Sequence, residues 1–227
     1  MVARTRRAQR RTEALSRERI TEAAVELLDA SGEGGLSFRA LSEHLATGPG
    51  AIYWHVANKG ELLEAATDAV VAAALAEPAE PAGSPRDEIR AVALGLFNTI
   101  AEHPWLATQV SLQLSHGPTK SVPLRIFEGI GRHVGALGVP EDSWFTVASA
   151  LMHYILGSAA QNASNARVAG SAVDREEFLD AVSAAWEELD PDDYPFTRAV
   201  ARQAREHDDR EQFLTGIDLI LAGIRAR

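Results

Sequence analysis

The 227-residue chain contains no cysteine, which removes disulfides, cysteine-ligated zinc and thiol nucleophiles from consideration. Its ten prolines and seventeen glycines are too few for a low-complexity or collagen-like chain. No apolar run approaches the ~20 residues that a membrane helix needs, so no membrane partner is expected. The arginine-rich start has no apolar stretch behind it, so the pattern of a secretory leader is missing. Catalytic signatures are missing too. None of the seven histidines has a glutamate three residues before it, as inward-facing di-metal helices require. His-Glu-x-x-His, Gly-x-Ser-x-Gly and the Walker phosphate loop do not occur. Asn162-Ala-Ser164 matches a glycosylation acceptor, which in a cysteine-free, leaderless sequence reads as chance. These absences point to a cytoplasmic, non-enzymatic protein with no metal or cofactor. A catalytic reading would return only if a cavity held a metal or a paired histidine and carboxylate.

What is present is a composition of 46% apolar and 24% charged residues, ordinary for a chain that buries a core as one large or two modest domains. The formal net charge of -10 hides an asymmetry. Arg4, Arg6, Arg7, Arg10 and Arg11 fall within residues 1–11, which carry no acid. Residues 1–59 hold nine basic and seven acidic side chains, whereas the remainder holds 13 and 25. A basic head on an acidic body fits a polyanion partner for one region, or equally a solvated basic tail.

Nearly every segment repeats at helical spacing. Ile20, Ala23, Ala24, Leu27 and Leu28 form one buried face, with Ser16 as N-cap and Gly32 or Gly34 as stop. Ser37 caps a short helix to Leu45, and Gly48-Pro49-Gly50 breaks the chain before a third short segment, Ala51 to Val56. Asn58 and Glu61 read as a cap and its partner, opening a helix over 58–76. A Pro/Ala/Glu stretch, Glu77 to Pro85, is the clearest linker. Beyond it Ser84 caps a helix ending at His103-Pro104. Further helices are predicted over 105–114, 122–137, 142–166, 174–189, 195–206 and 209–226. The expected fold is all-α, with about ten helices in two domains. Residues 1–62 form a three-helix head, of which 1–15 are a flexible basic arm, and residues 63–227 form a helical bundle.

One long helix, one short helix and a third after a tight turn have the proportions of a helix-turn-helix unit, whose third helix enters the DNA major groove. Ser37 and Thr47 offer hydroxyls and backbone N–H groups at helix starts. Tyr53, His55 and Lys59 carry donors for phosphate oxygens, and Arg39 can reach a base edge or a phosphate. His44 reads as a solvated helix residue.

Leu36-Ser-Phe-Arg-Ala-Leu-Ser-Glu-His-Leu45, Ile52-Tyr-Trp-His-Val56 and Asn58-Lys-Gly-Glu-Leu-Leu63 together resemble the N-terminal domain of TetR-family transcriptional regulators. Phe213 to Ile224 is similar to the final helix of the tetracycline-repressor branch. The resemblance implies a sequence-specific DNA-binding regulator: a homodimeric repressor on a palindromic double-stranded operator, released by a small-molecule effector. It implies phosphate contacts at Tyr53, His55 and Lys59, with Trp54 packing the third helix onto the first. The start of the third helix, Thr47-Gly48-Pro49-Gly50-Ala51, departs from the pattern by offering almost no long polar side chain. Base reading then rests on Arg39, on Ala51 or Pro49 against thymine methyls, and on the arginine arm in a minor groove. The DNA-facing set is Ser37, Arg39, Thr47, Gly48, Pro49, Gly50, Ala51, Tyr53, Trp54, His55 and Lys59.

For the C-terminal part the resemblance implies dimerisation and effector binding. Leu151, Ile155, Ala159, Leu214, Ile217 and Leu221 are the candidate dimer contacts, on stripes that would serve an intramolecular core equally well. Polar and aromatic residues on otherwise apolar helices suggest a pocket between the middle helices: His103, Trp105, Gln109, Gln113, Phe127, Trp144, His153 and Gln161. Gln161 aligns with the glutamate on the metal side of the tetracycline branch, and losing that carboxylate disfavours magnesium-tetracycline as the effector. A constitutive regulator without effector fits the same residues.

Overall fold

The computed structural model of the chain describes residues 15–76, 83–117, 119–169 and 175–224. Among the described residues it contains helices and no strand. The arginine arm, the larger part of the Pro/Ala/Glu stretch and the last three residues lie outside them. Contacts divide the chain between Val70 and Val71 into two compact units. The division falls inside a helix, eight residues beyond the boundary expected at 62/63, because Leu62 and Ala66 in the first turns of that helix are buried.

The N-terminal unit begins with α1, Arg17–Gly35. Ser16 caps it by accepting from the Arg19 N–H at 3.3 Å, which satisfies one of the four orphan donors of a helix start. Ile20, Ala23, Ala24 and Leu28 are buried on one face, while Leu27 lies at the edge of that stripe, half-buried. Gly32 interrupts the helix with φ 62° and ψ -170°, a backbone region open in practice only to glycine. Next come α2, Phe38–His44, and α3, Pro49–Tyr53. Leu36, Leu41, Ile52 and Val56 fill the core of this trihelical unit together with Ile20 and Leu28.

Helix α4, Lys59–Ala74, follows. The C-terminal unit then runs through α5, Pro85–Glu102, α6, Leu106–His116, and α7, Ser121–Ala136. A 3-10 turn at Glu141–Ser143 leads into α8, Trp144–Ala169. After it come α9, Arg175–Glu187, α10, Pro195–Ala199, α11, Ala201–Arg205, and α12, Asp209–Gly223. The single helix expected over 195–206 is two, because Val200 leaves helical geometry at φ -98° and ψ 2°. Ser84 and Asp87 cap α5 reciprocally, and Pro85 sits in the first turn, where its missing N–H costs nothing.

Helix α8 is the axis of the unit, packing against α5, α6, α7 and α12. Phe97 of α5 stacks on Phe213 of α12 at 4.4 Å, and Tyr154 of α8 lies parallel to Phe213 at 5.8 Å. The Tyr154 hydroxyl donates to the Phe213 carbonyl at 3.2 Å. This approach requires Gly216, since a Cβ there would fall 1.9 Å from the Tyr154 hydroxyl.

Candidate nucleic-acid interface

Three local devices fix the shape of the α2–α3 turn. Ser37 caps α2, its Oγ accepting from the Ala40 N–H at 3.1 Å. At the other end Ala46 N–H returns to Glu43 O at 3.3 Å and Thr47 N–H to Ser42 O at 3.0 Å. This is the paired closure that ordinarily places glycine at the left-handed position, yet here Ala46 holds φ 51°. Gly48 then serves as N-cap of α3 without a side-chain hydrogen bond, and Pro49 opens the helix. The Thr47 N–H is thus spent inside the turn and is not free for a phosphate, contrary to expectation.

The sequence-predicted residues separate into two groups. Arg39, Gly48, Pro49, Gly50, Tyr53 and Trp54 are exposed, while Thr47, Ala51 and His55 are half-buried. Trp54 is 90% exposed and does not pack α3 onto α1. It follows α3 as the C-cap residue, and Ile52 and Val56 on either side take the core positions. Tyr53 lies flat on Phe38, with ring centroids 4.3 Å apart and planes 4° from parallel. Phe38 was missed in the sequence as the platform for Tyr53, since a single aromatic at the start of a helix carries no periodic signal.

The second group holds the unit together. Lys59 Nζ donates to the Glu33 carbonyl at 2.6 Å, tying the start of α4 to the end of α1. Arg17 donates to the His55 carbonyl at 3.3 Å and to Glu61 Oε1 at 2.8 Å. Glu61 Oε2 accepts from the Ala57 N–H at 2.8 Å, and Asn58 Oδ1 from the Glu61 N–H at 2.9 Å. The cap expected at Asn58 therefore forms, with the glutamate reaching one residue further back. The Ala57 N–H first, and Arg17 second, hold the Glu61 carboxyl below the usual glutamate range. His44 pairs with Glu26 at 2.7 Å, linking α2 to α1 where a merely solvated residue was expected. Arg17 carried no signal of its own, because its partners are distant in sequence.

In the C-terminal unit, Trp105, Gln109 and Gln113 are buried along α6. His103 caps the end of α5, its ring edge-on to Trp105 at 6.1 Å. The Gln113 Nε2 is buried with no hydrogen-bond partner among the described residues. Phe127 leans on Phe145 at 5.7 Å, and Trp144 Nε1 donates to the Val139 carbonyl at 2.7 Å. His153 and Gln161 are exposed, the latter bonded to Asn165 at 2.9 Å.

A cavity of about 270 Å³ between α5, α8 and α12 is lined by Gln161 and by none of the other seven candidates. A neighbouring one of about 570 Å³ has Phe178, Leu179, Val182, Trp186, Phe196 and Val200 among its walls and none of the eight candidates. The smaller cavity holds a paired histidine and carboxylate, His207 and Asp209, at 2.9 Å. Arg175 takes the other Asp209 oxygen at 2.6 Å, so the carboxylate is spent on an ion pair, and no nucleophile is bonded to His207 among the described residues. Likewise, no group of three or more potential metal ligands occurs among them.

Leu151, Ile155, Ala159, Ile217 and Leu221 are buried within the single chain. They form its own core and offer no surface to a second copy, which corrects five of the six dimer candidates. The outward side of α12 carries half-buried Leu214 and exposed Leu219.

Residues 20–66 match the family described as bacterial regulatory proteins, tetR family, and residues 77–227 match the tetracyclin repressor-like C-terminal domain. The solved transcriptional regulator SCO7222, a TetR from Streptomyces coelicolor, is 65% identical with a TM-score of 0.84, covering 92% of this chain and 97% of that one. BioQ, solved with its double-stranded DNA operator, is 30% identical with a TM-score of 0.57, over 68% of this chain and 89% of the other. An HTH-type transcriptional regulator of Saccharopolyspora erythraea is 33% identical over 63% of this chain, and the match spans 59% of that relative's length. The chain belongs to the TetR family of bacterial regulatory proteins.

Proposed function

We propose that the chain is a one-component transcriptional repressor that reads a palindromic DNA operator as a homodimer and leaves it when a small molecule binds the C-terminal unit. The observation that carries this reading is the exposure of Tyr53 and Trp54 beside Arg39. A helical hairpin whose aromatics merely filled a core would bury Trp54, which is instead 90% exposed. A rigid trihelical head that presents two aromatics and a guanidinium suits a duplex, with tyrosine donating to phosphate and arginine reaching a base. The relative solved on its operator supports the same use of the fold. One short recognition helix reads few base pairs, and a two-fold dimer doubles the readout. No helix among the described residues is long and apolar enough to cross a membrane, and the site of action is the cytoplasm, where the chromosome lies.

The effector reading rests on α6. The Gln113 Nε2, buried with no partner among the described residues, and the buried Gln109 on α6 and Trp105 at its start are polar groups of the kind that an apolar effector pocket uses. The effector is then an organic molecule with an acceptor for the Gln113 N–H. Release follows if it favours a state that the operator does not, each weakening the other by the same factor.

The test is selection of duplexes from a random pool at low salt, followed by titration across salt concentrations. Enrichment of a palindrome is expected, and Tyr53→Ala should weaken binding to all sequences alike while leaving the slope of log K against log salt unchanged, because an uncharged phenol releases no counterion. A protein that stays monomeric and enriches nothing refutes the reading. Thermal melting against a metabolite panel separates repressor from constitutive regulator, since only the former gains stability from a ligand.

A further inference from the structure

We propose that Glu43 sets the sequence specificity of the head by holding Arg39 so that its two terminal nitrogens read one guanine in each half-site. The inference rests on the DNA-reading role above and adds a residue to it. The start of α3 contributes little side-chain reach: Gly48 and Gly50 have open space where a side chain would stand, and Pro49 and Ala51 carry only carbon. Readout by hydrogen bond therefore falls to α2, where Arg39 is 89% exposed along its side chain.

Arg39 is not loose. Its Nε donates to Glu43 Oε1 at 3.0 Å across one turn of α2, the spacing that brings two side chains onto one helix face. A guanidinium offers donors on fixed edges. Glu43 occupies the Nε edge and leaves the Nη1–Nη2 end outward, a fork matching the O6 and N7 acceptors of guanine.

As an i,i+4 pair the carboxylate supports α2 modestly, but its charge carries a cost at DNA. Glu43 is itself 68% exposed on the helix that carries Arg39, and a negative charge beside a polyanion weakens binding to every sequence. It also lowers the pull of any phosphate on Arg39, so the arginine is kept for the base and non-specific binding falls. Specificity is a difference of affinities and gains from such a repulsive element. The pair is weak in water, as exposed pairs are, and strengthens when docking excludes solvent around it.

The experiment uses the full chain and the duplex enriched by selection, with every base pair substituted singly. Arg39→Ala should abolish discrimination at one G·C pair per half-site, which identifies the position read. Glu43→Ala should lower discrimination at that same pair by about fivefold or more, the lower end of a bidentate base contact. It should also tighten binding to unrelated DNA. Glu43→Gln removes the same charge but keeps an acceptor for Nε, so it should tighten unrelated DNA equally and retain most of the discrimination. Wild-type discrimination in Glu43→Ala overturns the proposal, as does a loss at a different base pair. An equal loss in Glu43→Gln also overturns it, because the effect would then be one of charge and not of geometry. A wild-type chain that enriches no sequence fails earlier and takes the DNA-reading role down with it.

Discussion

Gln113 gives the sharpest test of the effector site, because stability and response should move in opposite directions there. Its side chain is 7% exposed and its Nε2 has no partner among the described residues. A buried donor without an acceptor costs ~1–3 kcal/mol of desolvation that nothing offsets. Methionine follows the same unbranched path and brings no donor. Gln113→Met should therefore stabilise the C-terminal unit by ~1–2 kcal/mol, within that range. For a chain of this size the melting midpoint should rise by about 3–6 °C. Calorimetry or helical circular dichroism reads it directly, with Gln113→Ala as control, since a truncation leaves a void and should lower the midpoint. A small molecule that raises the wild-type midpoint should raise that of Gln113→Met far less, the amide being the group it would have met. A methionine variant that melts at or below the wild-type temperature would refute the reasoning, showing that the amide is satisfied and contributes to the fold.

Three further outcomes are expected. Ala46→Gly should stabilise the head by ~0.5–1 kcal/mol, because relief of the left-handed strain at φ 51° outweighs the entropy of the added glycine; a lower melting midpoint contradicts it. Glu61 titrates below its ordinary value of 4.5 in the fold, so its stabilisation is complete above that value and fades as pH falls through the depressed one. The gap in melting midpoint between wild type and Glu61→Gln should be wide at neutral pH and narrow near pH 3, and a gap independent of pH rules the linkage out. Removing residues 1–11, with their five arginines, should flatten the salt dependence of operator binding by up to ~4.5 in slope. A slope that survives the deletion assigns the phosphate contacts to the folded head.

The helices were legible because their causes are local. Ser16, Ser37 and Ser84 cap α1, α2 and α5, and each is a hydroxyl residue just before an apolar periodic run. Direction was harder. A five-residue helix such as α3 spans barely more than one turn, so periodicity does not say whether Trp54 faces inward, and the structure turns it out. The stripes of α8 and α12 announced burial but not its partner: Leu151 and Ile217 looked equally suited to a second subunit and lie in the core of one chain. The Lys59 contact with the Glu33 carbonyl joins residues 26 apart, and a lysine after a short aromatic helix gives no hint of it. The Glu43–Arg39 spacing, by contrast, is a local i,i+4 relation that the sequence itself displays.

These placements change how the head's polar side chains divide their work. A short three-helix unit has a small core, and polar ties fix its angles where hydrophobic burial alone leaves play. Arg17 to Glu61, Lys59 to Glu33 and His44 to Glu26 do this, each joining α1 to a later element. Lys59, expected as a phosphate contact, is thereby partly committed to the fold, and His55 contributes its carbonyl to the same scaffold. On the proposed DNA-reading role, the residues left to meet a duplex are few: Arg39, paired with Glu43, Tyr53 on its Phe38 platform, and Trp54. Tyr53 is stacked on its neighbour before any ligand arrives, so less of its conformational freedom is lost on docking. A head with so few reading groups and a glycine-rich first turn in α3 gains selectivity from fixed geometry more than from number of contacts, and that is the setting in which one carboxylate beside one arginine has leverage.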